Sequence, residues 1–197
     1  MVQVGQVLNN PVTGEQLTIL RAGREEDGGS LVFDCRVAPG GVPLPVHIHD
    51  TQEERFEIIS GSIGVLLGDQ KLILQAGERA ILPAKIKHQW WNAGEDEAYF
   101  RVEVVPPRNL AMMLEAVCGL AQAGKLSKKA MPRNPFHLVN LGLLSESYMP
   151  GVPIFVQKIG LSVGSVVGRA LGFDPYFNKY RLMATQASGG FVKEAVA

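Results

Sequence analysis

Cysteine is scarce in this chain: Cys35 and Cys118 are two among 197 residues. They lie far apart, each in an apolar run, so no disulfide scaffold is expected. Buried free thiols and a reducing, cytoplasmic setting follow. Neither sign of charge is in excess: 19 lysines and arginines face 19 aspartates and glutamates. A net charge of zero gives no reason to expect a nucleic-acid or acidic-lipid partner. The opening Met-Val-Gln-Val-Gly-Gln-Val has no basic segment leading into an apolar core, so it does not read as a secretory signal. No repeat of fixed period is present. What remains is ordinary globular composition, 46% hydrophobic, enough to bury a core.

The first half is written in short runs rich in Val, Ile and Leu: 16–22, 30–38, 55–59, 63–67, 71–74, 79–82, 88–92 and 98–105. Turn signals separate them, among them Pro39-Gly-Gly, Gly68-Asp-Gln and Ala93-Gly-Glu-Asp. Gly68-Asp69 between two apolar runs predicts a hairpin. Many short strands with no helix between them predict a mainly β fold, a sandwich or barrel. The texture changes at Pro106-Pro107. Leu110, Met113, Leu114, Val117, Leu120 and Ala121 recur at helical spacing, with Gly124 as a stop. A second apolar stretch covers 136–144, and 153–171 reads as a further helix. The expected organisation is a β domain over 1–106 and an α-helical extension over 107–197.

The chemistry sits in two clusters. The first runs from Gly41 through His47, His49, Glu53 and Glu54 to Gly61, the second from Gly77 through Pro83, Lys85 and His88 to Asn92. Alternate side chains of a strand share a face, so His47 and His49 point together. On the next strand Glu54, Phe56 and Ile58 share one face, and Arg55 and Glu57 the other. His88, Trp90 and Asn92 share a face further on. Three neutral imidazoles and a carboxylate suit a divalent first-row metal such as Fe, Mn, Ni, Cu or Zn, with positions left open for water or substrate. A structural zinc site would be closed and richer in thiolate. Phe56, Ile58, Leu66 and Trp90 are expected to line an apolar pocket. For Trp90 packing is the plainer role, and for Asn92 a strand-end hydrogen bond. Arg36, Arg55 and Arg101 are candidates for a substrate carboxylate, although arginines on barrel strands usually face outward.

Written as G-x5-H-x-H-x4-E-x6-G and G-x5-P-x-K-x2-H-x3-N, the clusters resemble the two signature motifs of the cupin superfamily. The resemblance covers about the first 106 residues. It implies a jelly-roll β-barrel of six to eight strands with the metal inside, held by His47, His49, Glu54 and His88. The six residues before Gly61 select Glu54 over Glu53, as does strand parity. Lys85 stands where the second motif usually has glycine, a departure expected to reshape a turn. By analogy the chain is expected to be a dioxygenase-like oxidoreductase acting on a small aromatic or enol-like molecule, with Glu54 as catalytic base. The alternatives are a metal-dependent small-ligand binder without turnover, or a metal-assisted isomerase, decarboxylase or hydrolase. A homodimer is the expected assembly.

The motifs do not reach the extension. There Gly160, Gly164 and Gly168 fall on one helix face at a cost of about 1 kcal/mol each against alanine, which calls for a close neighbour. The same pattern pairs membrane helices, but the charge-free run between Lys158 and Arg169 falls short of the roughly 20 residues of a span. A packed helix is expected, ahead of interfacial membrane association or a lid. His137 is expected to be structural or exposed.

Overall fold

The computed structural model describes residues 2–188, so residues 189–197 of the expected extension lie outside it. Eleven strands and four α-helices follow one another. The strands are β1 (Val7–Asn10), β2 (Glu15–Ala22), β3 (Leu31–Val37), β4 (Ile48–His49), β5 (Glu53–Ser60) and β6 (Ser62–Leu67). β7 (Gln70–Gln75), β8 (Arg79–Leu82), β9 (His88–Asn92) and β10 (Ala98–Val105) complete the first half. Helices α1 (Leu110–Gln122), α2 (Pro135–Ser145), α3 (Ile154–Ala170) and α4 (Asn178–Ser188) follow, with the two-residue β11 (Ser147–Tyr148) between α2 and α3.

The fold is the mainly β jelly roll with C-terminal helices. A six-stranded antiparallel sheet has the order β1-β2-β3-β10-β5-β8, and a three-stranded sheet the order β7-β6-β9. Several strands bury one face, while the central β3 is buried at all but one of its residues. β10 alternates buried and half-buried along all its residues, and Ala98, Phe100, Val102 and Val104 point inward. Between the sheets they meet Phe33, Cys35, Phe56, Ile58, Ile63 and Val65. Cys35 is thus core filling, and burial holds its thiol well above the usual range. β6 and β7 join through Gly68-Asp69, with Gly68 at φ 60°. Motif residue Gly61 has φ 75°, and a Cβ there would stand 2.9 Å from Ala98 Cα and Glu97 O.

The helices pack beside this barrel. Leu110 and Cys118 of α1 join the barrel core, while Ala116, Leu120 and Ala121 meet Leu141, Leu144 and Phe177. Asn134 caps α2 by accepting from the Phe136 and His137 amides, and Pro135 fills its first position. The glycine stripe of α3 finds its neighbour in α2: a Cβ on Gly164 would meet Val139, and one on Gly168 would meet Phe136. Gly160 faces open space. The polar α4, which no periodicity announced, docks on α1 where Gly119 has no side chain to obstruct the Tyr180 backbone. There the Arg181 guanidinium donates to the buried Glu115 carboxylate at 2.8 Å, and the Gln6 amide reaches the same carboxylate at 3.2 Å.

Candidate metal centre

His47, His49 and His88 converge on one point, their candidate ligand atoms all within 4.8 Å of one another. The ring centroids are 4.6–5.4 Å apart. Three separate pieces of backbone bring them together. His47 exchanges both backbone hydrogen bonds with His88, at 3.0 and 2.8 Å. His49 lies on β4, and its carbonyl accepts from the Lys85 amide at 2.7 Å. His49 and His88 are 2% and 0% exposed, while His47 is partly exposed and marks the open side.

Two of the imidazoles have their protons tied back. The Nδ1 of His47 lies 2.9 Å from Pro45 O, and that of His88 lies 2.9 Å from Ile86 O. A carbonyl can only accept, so each Nδ1 carries the proton and each Nε2 keeps its lone pair. His88 Nε2 is buried with no protein partner, as is His49 Nδ1. Burial, then the neighbouring His49 and His88, lower the pKa of His47 to about 4; burial also lowers that of His88. Neutral imidazoles with free lone pairs at neutral pH are what a metal ion requires.

Glu54 faces this cluster from β5. Its Oε1 is 3.5 Å from His49 Nε2 and its Oε2 is 3.8 Å from His88 Nε2. Burial would raise its carboxyl, but the His49 hydrogen bond and the charges of His49, His88 and His47 bring it down to about 2. Glu53 turns outward and accepts from Arg55 Nε at 2.7 Å. Three imidazoles and an ionised carboxylate suit a divalent first-row ion, so the residues present fit such a group.

Below the cluster the interior is aromatic. Phe56, Trp90 and Phe100 make three edge-on contacts with centroids 5.1–6.4 Å apart, and Ile58 is packed beside them. Leu66 is not among them. In the β6–β9 register Val65 pairs with Trp90 and Leu67 with His88, whereas Leu66 pairs with Gln89 on the opposite face. The inward neighbours on β6 are therefore Val65 and Leu67, because parity flips every other side chain. Asn92 closes the strand end, its amide donating to Val37 O and Asp96 O at 2.9 Å each. Arg36, Arg55 and Arg101 pair with Glu97, Glu53 and Asp34 on the barrel's outer surface.

With fold, ligand cluster and motif spacing in place, residues 33–105 match the cupin domain family. The chain carries a cupin domain. Several solved structures are similar to it. The cupin domain of Cnp3 from Schizosaccharomyces pombe is 14% identical over 46% of this chain and 63% of that one, TM-score 0.41. KdgF from a Halomonas species is 15% identical over 49% and 84%, TM-score 0.42. An RmlC-like cupin from Shewanella frigidimarina is 15% identical over 55% and 90%, TM-score 0.45. This chain thus spans less than two thirds of the Cnp3 structure. No curated protein matches the chain.

In this cupin the turn at Lys85 is not reshaped. Lys85 takes φ 66°, the left-handed backbone that glycine adopts freely, and its amide still reaches His49. The outer support of the ligand strand escaped sequence reasoning altogether. β11 pairs with β4, Ser147 opposite His49 and Tyr148 opposite Ile48, and Lys158 of α3 grips Asp50. Two-residue strands and a contact spanning 108 positions leave no local pattern to read.

Proposed function

We propose that this cupin is a metal-dependent enzyme in which His47, His49, His88 and Glu54 hold a divalent first-row transition ion, and that it oxidises a small aromatic or enol-like molecule in a dioxygenase-like reaction. The observation that carries the metal reading is the convergence of three imidazoles within 4.8 Å, two with Nδ1 tied to backbone carbonyls. When bound, such an ion supplies Lewis acidity and open positions for substrate and oxygen. The chain's own residues do the rest. Glu54 faces the cluster and, when it swings off the ion, would be the group to accept a substrate proton. Phe56 and Trp90, on the strands that carry Glu54 and His88, would favour a flat organic molecule over a sugar beside the ion. The partly exposed His47 marks the side of approach.

The test is metal analysis of protein purified without an affinity tag, followed by oxygen uptake with diols, flavonols and enols. Stoichiometric Fe, Mn or Ni with uptake on one class is the expected result. A loaded protein that consumes no oxygen with any of them would replace the oxidase reading with the non-catalytic ligand-binding one. Turnover of substrate without oxygen would point to a metal-assisted isomerase or decarboxylase.

A further inference from the structure

Helix α3 turns its apolar side outward. Phe155, Ile159, Val163 and Val166 are 66%, 61%, 59% and 67% exposed, and Val156 and Val167 extend the same arc. At 100° per residue these six side chains span about a third of the helix circumference, the width of a stripe that normally faces a core. Met149, Val152 and Leu171 continue it beyond the helix ends. Nine such side chains expose on the order of 800 Å², above the roughly 300–600 Å² of the largest patch on a typical monomer. The opposite side of α3 is already occupied by α2 through Gly164 and Gly168.

The charge around this face is mostly basic, its neighbouring acid Asp50 being already paired with Lys158 at 2.6 Å. The neutrality of the whole chain conceals a division: residues 1–115 carry ten lysines and arginines against sixteen acids, while 116–188 carry eight against two. Between Glu146 and Asp174 there is no acid at all. Lys158 and Arg169 lie along one flank of the exposed arc, eleven residues apart and so on the same side of the helix. Where α3 ends, a cavity of about 420 Å³ is lined by Phe173, His137 and Tyr180 together with Lys125 and Lys179. His137 is nine-tenths buried there, with Nδ1 lacking a partner, and Asp174, the acid of this wall, has both oxygens engaged by the Tyr176 and Asn178 amides.

We infer that α3 is a docking surface for an anionic lipid bilayer, lying in the plane of the interface with its apolar arc among the acyl chains and the basic extension against the headgroups. A second copy of this chain complements the arc less well, since a two-fold pairing would bring Arg169 against a basic helix whose neighbouring acid, Asp50, is already engaged by Lys158. An anionic lipid surface meets both features at once. The helix lies on the membrane and does not cross it, for no described helix is long and apolar enough to span a bilayer.

The experiment is flotation of the full chain with vesicles of phosphatidylcholine alone, or of phosphatidylcholine mixed with phosphatidylglycerol, alongside light scattering of the free protein. Wild type is expected to float with the mixed vesicles and at least tenfold less with the neutral ones, and to be released by salt. Phe155→Glu and Val166→Glu, both at exposed positions, should each lower binding at least tenfold without moving the melting curve. Lys179→Ala should lower it up to about fivefold, from roughly 1 kcal/mol per basic residue near the surface. Absence of flotation, equal flotation with neutral vesicles, or flotation untouched by both glutamates would overturn the inference. So would a dimer that Val166→Glu dissociates in a protein that ignores vesicles, which would assign the face to a second copy.

Discussion

Lys158 Nζ lies 2.6 Å from Asp50 Oδ2, so the residue that follows His49 in the chain is anchored to a helix more than a hundred positions away. β11 runs alongside, pairing Ser147 with His49 and Tyr148 with Ile48. The ligand strand β4 therefore takes its outer support from the helical extension and its inner support from the Lys85 turn.

The first prediction follows from that anchoring. The ion pair is partly exposed and worth at most about 1 kcal/mol, so Lys158→Ala should weaken Co(II) affinity by up to about fivefold, with Lys158→Arg largely restoring it. Tyr148→Pro removes an amide from the two-residue ladder and should weaken it further. Absorbance titration reads both. An unchanged Co(II) isotherm in both variants would show that β4 holds its ligand geometry without the extension.

For the ligands themselves, His88→Ala and His47→Ala should each abolish stoichiometric metal loading. Glu54→Gln should retain a weakened site, since three imidazoles remain. Elemental analysis after dialysis checks the series. Full loading of His88→Ala would remove that residue from the ligand set.

Acid should destabilise the metal-stripped protein in a definite window. Burial lowers His47 to about 4 and lowers His88 as well, whereas in the unfolded chain both titrate near 6.5. Between about pH 6.5 and 4 the unfolded state binds more protons, so stability falls as pH falls, by up to about 3 kcal/mol for His47. Glu54, depressed to about 2, keeps its contribution above about pH 4.5 and loses it below, as pH falls toward 2. Urea titrations across this range should show the slope, and His47→Asn should flatten the upper part.

Lys85→Gly should be neutral or stabilising by up to about 1 kcal/mol. A non-glycine residue in the left-handed region costs about 1–2 kcal/mol, partly offset by the greater freedom of glycine in the unfolded chain. Thermal melting decides, and a loss of several degrees would mean that the lysine side chain contributes a contact beyond its backbone.

Much of the barrel was legible because burial on one face imposes a period of two. β10 carries that period through every residue and β5 through Ile59, and the same parity separates Glu54 from Glu53. The short pieces were not legible. β1, β4 and β11 have four residues or fewer and take their strand character from partners remote in sequence. α4 lacks an apolar stripe because its docking uses a gap in α1 at Gly119 and a few small contacts such as Ala184. Leu66 reads as an inward apolar residue of its strand, but its pairing with Gln89 turns it to the opposite face.

One consequence concerns solubility. β1 is an end strand of the six-stranded sheet, and unprotected sheet ends recruit other chains. Here α1 and α4 lie against β1, and the Glu115 carboxylate receives Gln6 from just before that strand and Arg181 from the last helix. The two ends of the described chain are thereby fastened at one buried acid. Undoing that clasp would free the sheet margin, so Glu115→Gln is where aggregation on mild heating should first become visible.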